Sequence, residues 1–176
     1  MKKLTLLMSL FLSVLLVGCS ETKGWRVDNG VIVFDTPARA AGQKSVLGLR
    51  CEPIETIRVG FIGLGMRGPD AVKRFTYLDG VEVAALSDLY PERVDSAQQI
   101  LRRRGLPEAA AYSGEEGWKQ LCEREDLDLV YIVTPWLCHT PMAVYAMQCG
   151  KHVAVEVPAA MSLDECWQLV DTAEKT

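Results

Sequence analysis

The amino-acid sequence predicts a doubly wound α/β domain, in which helices cover both faces of a parallel sheet. From Thr56 onward, apolar and β-branched runs alternate with helical patterns, as such a sheet requires. A glycine-rich turn joins the first run to the first helix, and an acidic residue closes the second run. Together these features indicate a dinucleotide-binding domain over residues 56–176.

The glycine-rich turn follows a strand predicted over residues 57–62. Gly63, Gly65 and Gly68 have the spacing G-x-G-x-x-G. The first glycine permits a tight turn, the second lets the backbone approach a pyrophosphate, and the third lets the helix pack closely on the strand. The helix then directs its N-terminal amides at the phosphates.

The second strand, predicted over residues 81–88, ends in Asp88, twenty residues beyond Gly68. A carboxylate at this position accepts hydrogen bonds from the adenosine ribose. It also repels a 2′-phosphate, so Asp88 favours NAD over NADP. The alternative is that Asp88 caps the following helix, and one side chain can serve both purposes.

The later elements continue the alternation, and Ser162 with Glu165 predicts a capping box for the last helix. A six-stranded sheet of this kind needs one more strand after that helix, and a catalytic α+β domain normally follows. We therefore expect the front part of a longer protein, with the sheet incomplete. The intervening elements are predicted as helix 91–104, strand 109–112, helix 115–124, strand 127–133, helix 141–149 and strand 152–155.

Residues 1–19 are predicted to be a lipoprotein signal peptide. Two lysines precede an apolar run that ends at Val17 and is too short for a comfortable transmembrane helix. Gly18 then precedes Cys19 as in a lipobox, which makes Cys19 the predicted lipidation site; a simple cleaved signal is the alternative. The expected protein is an exported bacterial lipoprotein, anchored in the membrane and facing the periplasm or the cell surface. Residues 20–55 are predicted to be a tether and an N-terminal arm.

Charge and cysteine content argue against two other classes of site. The net charge of -4 gives no basic footprint for nucleic acid. The cysteines beyond Cys19 have neither paired nor metal-binding spacing, so no structural metal is expected. Most of them are predicted to be buried small hydrophobes on helix faces. They are Cys51, Cys122, Cys138, Cys149 and Cys166.

An ordered series of motifs in the second half resembles the glucose-fructose oxidoreductase and inositol dehydrogenase family. The series is Thr-Pro-Trp-Leu-Cys-His ending at His139, then Gly-Lys-His-Val, then Glu-Val-Pro. The resemblance covers residues 56–176 and implies a Rossmann fold with NAD. It also implies that Asp88 holds the ribose and that further residues line the cofactor. These are Met66 and Arg67 beside the glycines, with Trp136, Leu137, Cys138, His139, Glu156 and Val157 on the nicotinamide side.

One position departs from the family pattern. Its dehydrogenases generally have lysine between the glutamate and the proline, where it helps to move the substrate hydroxyl proton, and here the residue is Val157. Valine cannot perform acid-base chemistry. The run Val-Glu-Val-Pro-Ala-Ala instead resembles the NAD-dependent α-N-acetylgalactosaminidases, glycoside hydrolase family 109. That resemblance implies an enzyme that hydrolyses a glycoside through transient oxidation at C3, with NAD retained.

His139 is the one candidate for chemistry in this stretch. It is expected either to hydrogen-bond main chain near the start of a helix or to act in catalysis, and the sequence leaves both open. The base for C2 and most sugar contacts are expected after Thr176. Two other functions stay open: an exported NAD(P)-dependent sugar or inositol oxidoreductase, and a non-catalytic nucleotide-binding domain. Assembly as a homo-oligomer is also left open.

Overall fold

A computed structural model describes residues 24–176. The predictions for residues 1–19, including lipidation of Cys19, therefore lie outside the described residues. The chain divides into two compact units, one ending at Ala38 and one spanning Arg39–Thr176. No helix within residues 24–176 is long and apolar enough to cross a membrane.

The first unit contains an antiparallel β-hairpin. Strand β1 (Trp25–Asp28) pairs with β2 (Val31–Phe34). The turn between them has positive φ at both Asn29 and Gly30, the combination that an Asn-Gly type I′ turn requires. The run Val-Ile-Val-Phe of β2 consists of the β-branched and aromatic residues that favour strands.

The second unit is a five-stranded parallel sheet flanked by helices, which confirms the predicted fold class. The strand order is β5-β4-β3-β6-β7. The chain therefore adds β4 and β5 on one side of β3 and then crosses to the other side to add β6 and β7, all parallel. The elements are β3 (Ile57–Ile62), α1 (Gly68–Phe75), β4 (Val81–Asp88), α2 (Pro91–Arg103), β5 (Ala110–Ser113), α3 (Gly117–Cys122), β6 (Leu129–Ile132), a 3₁₀ turn (Trp136–Cys138), α4 (His139–Gln148), β7 (His152–Val155) and α5 (Leu163–Lys175).

Each face of the sheet carries its own hydrophobic core, because side chains alternate along a strand. On one face, Phe61 packs against Phe75 and Tyr131, with ring centroids 5.1 and 5.5 Å from its own. On the other face, Val130 and Ile132 pack with residues of α3 and α4. The sheet is thus covered on both sides, and its strand ends can hold a site rigidly.

The predicted helix at residues 141–149 begins earlier, at His139. Proline lacks an N–H, and the first turn of a helix does not use that group, so Pro141 is tolerated inside the first turn. The capping box of α5 also differs in detail. Ser162 Oγ accepts the Glu165 N–H at 3.2 Å, whereas the Glu165 carboxylate accepts the N–H of Met161, one residue before the cap.

The prediction that most of the cysteines are buried is wrong, because only Cys122 of the five described cysteines is buried. Cys138 and Cys149 are half-buried, Cys51 and Cys166 are exposed, and all five are free thiols. Cys51 lies outside any helix or strand, so no element buries it. Cys166 lies on the solvent side of α5, where helical spacing alone did not reveal the exposed face.

Residues before the first sheet strand belong to the second unit as well. The Glu174 side chain in α5 is only 2% exposed and pairs with the Arg39 guanidinium at 2.6 Å. The Gln43 amide donates to Asp171 and Glu174 at 2.8 and 2.9 Å. These contacts fasten the start of the unit to its last helix.

Candidate cofactor site

The glycine-rich turn is shaped by two close backbone contacts. Gly63 has φ +93°, and a Cβ there would lie 2.8 Å from the Val133–Thr134 peptide. A Cβ on Gly68 would lie 2.2 Å from the Gly63 carbonyl oxygen. Gly65 differs, because a Cβ there would meet only the Arg93 side chain, at 3.4 Å. The first and third glycines thus serve packing, while the second faces open space.

A cleft of about 1030 Å³ opens beside this turn, at the carboxyl ends of the strands. Ligands of open α/β sheets bind at this edge. Most of the residues predicted to contact the cofactor line the cleft. They are Gly63, Gly65, Met66, Arg67, Asp88, Trp136, Cys138, His139, Glu156 and Val157.

Two predicted residues lie elsewhere. Gly68 is buried at the start of α1, where it packs against Gly63 and acts through the shape of the turn. Leu137 is 75% exposed and lines a separate shallow groove with Pro135, Trp136 and Met161. The 3₁₀ turn directs successive side chains to different sides, so Leu137 is not placed to line the cofactor cleft.

Asp88 joins the glycine turn to the loop after β4. Its Oδ2 accepts the Leu64 N–H at 2.6 Å, and its Oδ1 accepts the Tyr90 N–H at 3.0 Å. The predicted alternative of a helix cap is wrong, because the N-cap of α2 is Tyr90. Since a carboxylate offers about four acceptor positions, Asp88 retains capacity for a ribose hydroxyl.

Sequence reasoning missed Arg93 and Tyr90 in the cleft wall. The Arg93 guanidinium lies 3.4 Å from Asp88 Oδ1 and stacks over the Tyr90 ring, 4.6 Å from its centroid. Its position, in the first turn of α2 and five residues beyond Asp88, was the available signal. A basic residue there looks like any exposed helical arginine until the fold places it against Gly65.

The opposite wall is formed by the segments after β6 and β7. Tyr131 donates its hydroxyl to Glu156 Oε1 at 3.1 Å. Burial and this neighbouring carboxylate both raise the pKa of Tyr131, so its hydroxyl stays protonated and remains the donor. Val157 is 81% exposed in the same wall, and its side chain offers no proton to a ligand.

His139 is held entirely by main chain in this structure. Its Nδ1 lies 2.7 Å from the Pro158 carbonyl oxygen, and its Nε2 lies 2.8 Å from that of Thr134. The residue is 1% exposed. This geometry favours the first of the two roles that the sequence left open, which is hydrogen bonding to backbone.

The cleft fits a dinucleotide. The N-cap residue Arg67 makes no side-chain bond to the first turn of α1, so the helix N terminus keeps its amides for an anion. The open side of Gly65 allows close approach of a pyrophosphate. Within residues 24–176, Thr134 Oγ1 is a buried hydroxyl oxygen without a hydrogen-bond partner, and it belongs to a residue that lines the cleft.

Comparison with known proteins identifies the family. Residues 57–176 match the model described as oxidoreductase family, NAD-binding Rossmann fold. The chain belongs to this family, and its cofactor is NAD.

Two curated relatives share a name from a different enzyme class. Glycosyl hydrolase family 109 protein 1 of Bacteroides thetaiotaomicron is 54% identical over the whole chain, which covers 38% of that protein. The glycosyl hydrolase family 109 protein of Porphyromonas gingivalis is 61% identical over 82% of the chain and 31% of its own length. The chain therefore spans about a third of the length of the curated relatives it matches.

Solved structures of oxidoreductases share the fold. Myo-inositol dehydrogenase from Lactobacillus casei, in complex with NAD(H) and myo-inositol, has a TM-score of 0.60 and 28% identity over 69% of this chain and 34% of its own. A 3-ketoreductase from Actinomadura kijaniata, in complex with NADP and TDP-benzene, has a TM-score of 0.58 and 26% identity over 68% of this chain and 34% of its own.

Proposed function

We propose that this chain is the NAD-binding part of a glycosidase that cleaves α-N-acetylgalactosaminides. The observation that carries the proposal is Val157, exposed in the cleft wall where the family's dehydrogenases generally have lysine. The names of the relatives, at more than 50% identity, support the same enzyme class.

Bound NAD+ would supply a transient oxidation at C3 of the sugar, which makes the proton at C2 more acidic. Loss of the C1 substituent, addition of water and reduction at C3 would then complete a hydrolysis without net redox change. Because such a cycle returns its electrons to the same sugar, the cofactor need not leave. Retention suits an exported protein, since free nicotinamide nucleotides are scarce outside the cytoplasm.

In this scheme the residues of this chain bind the cofactor and orient it. Asp88 accepts the ribose hydroxyls and, through Leu64, holds the glycine turn in place. Glu156 and Val157 form the wall beside the nicotinamide, and Tyr131 fixes the Glu156 carboxylate. The base that removes the C2 proton and most sugar contacts are proposed to come from residues beyond this chain.

A solvent-isotope experiment tests the proposal directly. The complete gene product, purified without added nucleotide, would be given an aryl α-N-acetylgalactosaminide in D₂O. We expect release of the aryl group without external NAD, and deuterium at C2 of the released sugar. The aryl α-galactoside without the acetamido group is the control substrate.

Each other result favours a different function. Aryl release without deuterium at C2 would exclude the redox route. Reduction of added NAD(P)+ by free sugars or inositols, without aryl release, would favour the oxidoreductase. NAD binding without either activity would favour a non-catalytic domain.

We also propose that the protein is exported and anchored through Cys19. The support is the basic start, apolar run and Gly18-Cys19 ending of residues 1–19. Metabolic labelling with a fatty acid should mark the wild-type protein and not the Cys19→Ser variant. Labelling of both would refute the anchor.

A further inference from the structure

The first two residues of α4 bind main-chain carbonyls in the segment that follows β7. His139 Nδ1 lies 2.7 Å from the Pro158 oxygen, and Thr140 Oγ1 donates to the Ala159 oxygen at 3.0 Å. The other ring nitrogen, His139 Nε2, lies 2.8 Å from the oxygen of Thr134, which follows β6. One imidazole therefore links the carboxyl ends of two neighbouring strands.

The surroundings of this ring fit a fastening role better than acid-base work. His139 is 1% exposed and Thr140 is 2% exposed. Each ring nitrogen lies within hydrogen-bond distance of a main-chain carbonyl oxygen, and the tautomer of the imidazole decides which of the two nitrogens donates. Among the hydrogen bonds of residues 24–176, none joins His139 to a carboxylate. Both ring nitrogens are already directed at main chain rather than at the open cleft.

The two linked segments form one wall of the cleft. Thr134, Pro135 and Trp136 line it after β6, while Glu156 and Val157 line it after β7. Asp88 ends β4, which is three strand positions from β7, a distance on the order of 14 Å. The link therefore acts at the end of the cleft remote from the predicted ribose contact.

We propose that His139 is a positioning residue that fixes the spacing between the Thr134 and Val157 sides of the wall and so holds the nicotinamide half of the bound cofactor. This inference rests on the proposed function in one respect only, which is the reaction that the positioned nicotinamide serves. Misplacement of reacting groups by about 1 Å can cost on the order of 100-fold in rate. Binding of the adenosine half should be insensitive to the same change.

Four variants separate the contacts of the link. His139→Asn places an amide nitrogen near the position of Nδ1 and can keep the bond to Pro158. His139→Gln places one near Nε2 and can keep the bond to Thr134, while His139→Ala keeps neither. Thr140→Val removes only the bond to Ala159 and retains the side-chain shape, so it is the matched control.

The measurement compares NAD with ADP-ribose, which contains the adenosine half and the pyrophosphate but no nicotinamide. Dissociation constants for both would be determined on the complete gene product and its variants. We expect His139→Ala to leave ADP-ribose binding unchanged and to reduce the preference for NAD about tenfold, as for loss of orientation at one end. The Asn and Gln variants should lose less, and Thr140→Val should stay within about twofold of wild type, since its link between the strands is intact.

Several results would overturn the inference. One is an unchanged NAD preference in His139→Ala, and another is an equal loss of both ligands. If the alanine variant does not fold, the Asn and Gln variants decide, and an unchanged preference in both refutes the role. These outcomes do not depend on glycoside turnover, so failure of the proposed reaction in wild-type protein would be recognised separately.

Discussion

Asp88 shows how one side chain can prepare a site before the cofactor arrives. Its carboxylate accepts the Leu64 N–H from the glycine turn and the Tyr90 N–H from the next loop. Hydrogen bonds to a charged acceptor contribute about 1.5–3 kcal/mol each, more than neutral ones. The position of the turn is therefore coupled to the group that is predicted to accept the ribose hydroxyls.

The variant Asp88→Asn should weaken both functions of that group. The asparagine oxygen can still accept one of the two backbone N–H groups, but the amide nitrogen meets the other with a donor, so we expect the free energy of unfolding to fall by about 1–3 kcal/mol. The dissociation constant for NAD should rise roughly tenfold or more, since a charged hydrogen bond is lost. Calorimetry and thermal melts would measure both effects. Asp95→Asn, on the exposed side of α2, is the control, and equal behaviour of the two variants would contradict the role of Asp88.

Among single residues, the sequence revealed the site residues that a motif requires to be of one amino-acid type. Gly63 and Asp88 lie at fixed distances along the chain from a predicted strand, so a pattern finds them. The approach of Arg93 to Gly65 and the bond of Tyr131 to Glu156 join residues distant in sequence, and those contacts exist only once the sheet has formed. Leu137 was assigned to the cofactor by the resemblance alone, and its side chain lines the separate shallow groove instead.

The glycine turn gives a prediction at the scale of an element, because two of its glycines serve different purposes. A Cβ on Gly68 would lie 2.2 Å from the Gly63 oxygen, so Gly68→Ala must move α1 from the turn. A Cβ on Gly65 meets only the Arg93 side chain, which can shift. We expect Gly68→Ala to destabilise the fold by roughly 1–3 kcal/mol, as overpacking does, and Gly65→Ala to leave stability nearly unchanged.

The affinity for NAD should also distinguish the two glycines, with Gly65→Ala now the more affected variant. Gly65→Ala places a methyl group where the pyrophosphate must approach the backbone, so NAD binding should fall at least tenfold, about 1.4 kcal/mol, without loss of stability. Melting temperatures and NAD titrations on both variants would show the contrast. Normal NAD affinity in a stable Gly65→Ala protein would mean that the pyrophosphate does not lie against this turn.

Element boundaries were harder to predict than element order. The strand at β7 was predicted with its observed bounds, His152–Val155, because Gly150 ends the preceding helix and Pro158 interrupts the chain soon after the strand. The helix α4 was expected at Pro141, yet it begins at His139, whose side chain and that of Thr140 bind carbonyls of the segment after β7. These tertiary contacts accompany a helix start two residues earlier than predicted, and no local sequence pattern encodes them.

At the scale of the whole molecule, the sheet has two edge strands among the described residues, β5 and β7. His152 and Glu156 donate their N–H groups toward β6, at Asp128 and Ile132. In a parallel strand the alternate residues, Val153 and Val155, then direct their N–H groups outward. The curated relatives are about three times as long as this chain, so they have further sequence that could pair with this edge.

The final prediction concerns residues 20–176 expressed alone. An uncovered edge strand is a template for pairing with another copy, and β7 carries the apolar sequence His-Val-Ala-Val. We therefore expect concentration-dependent association of this fragment by light scattering, and much less in the complete gene product. Ala154→Lys introduces a charge on this edge strand, as natural edge strands often do, and should reduce association. A monodisperse fragment that melts cooperatively would show instead that the β7 edge is protected within residues 20–176 themselves.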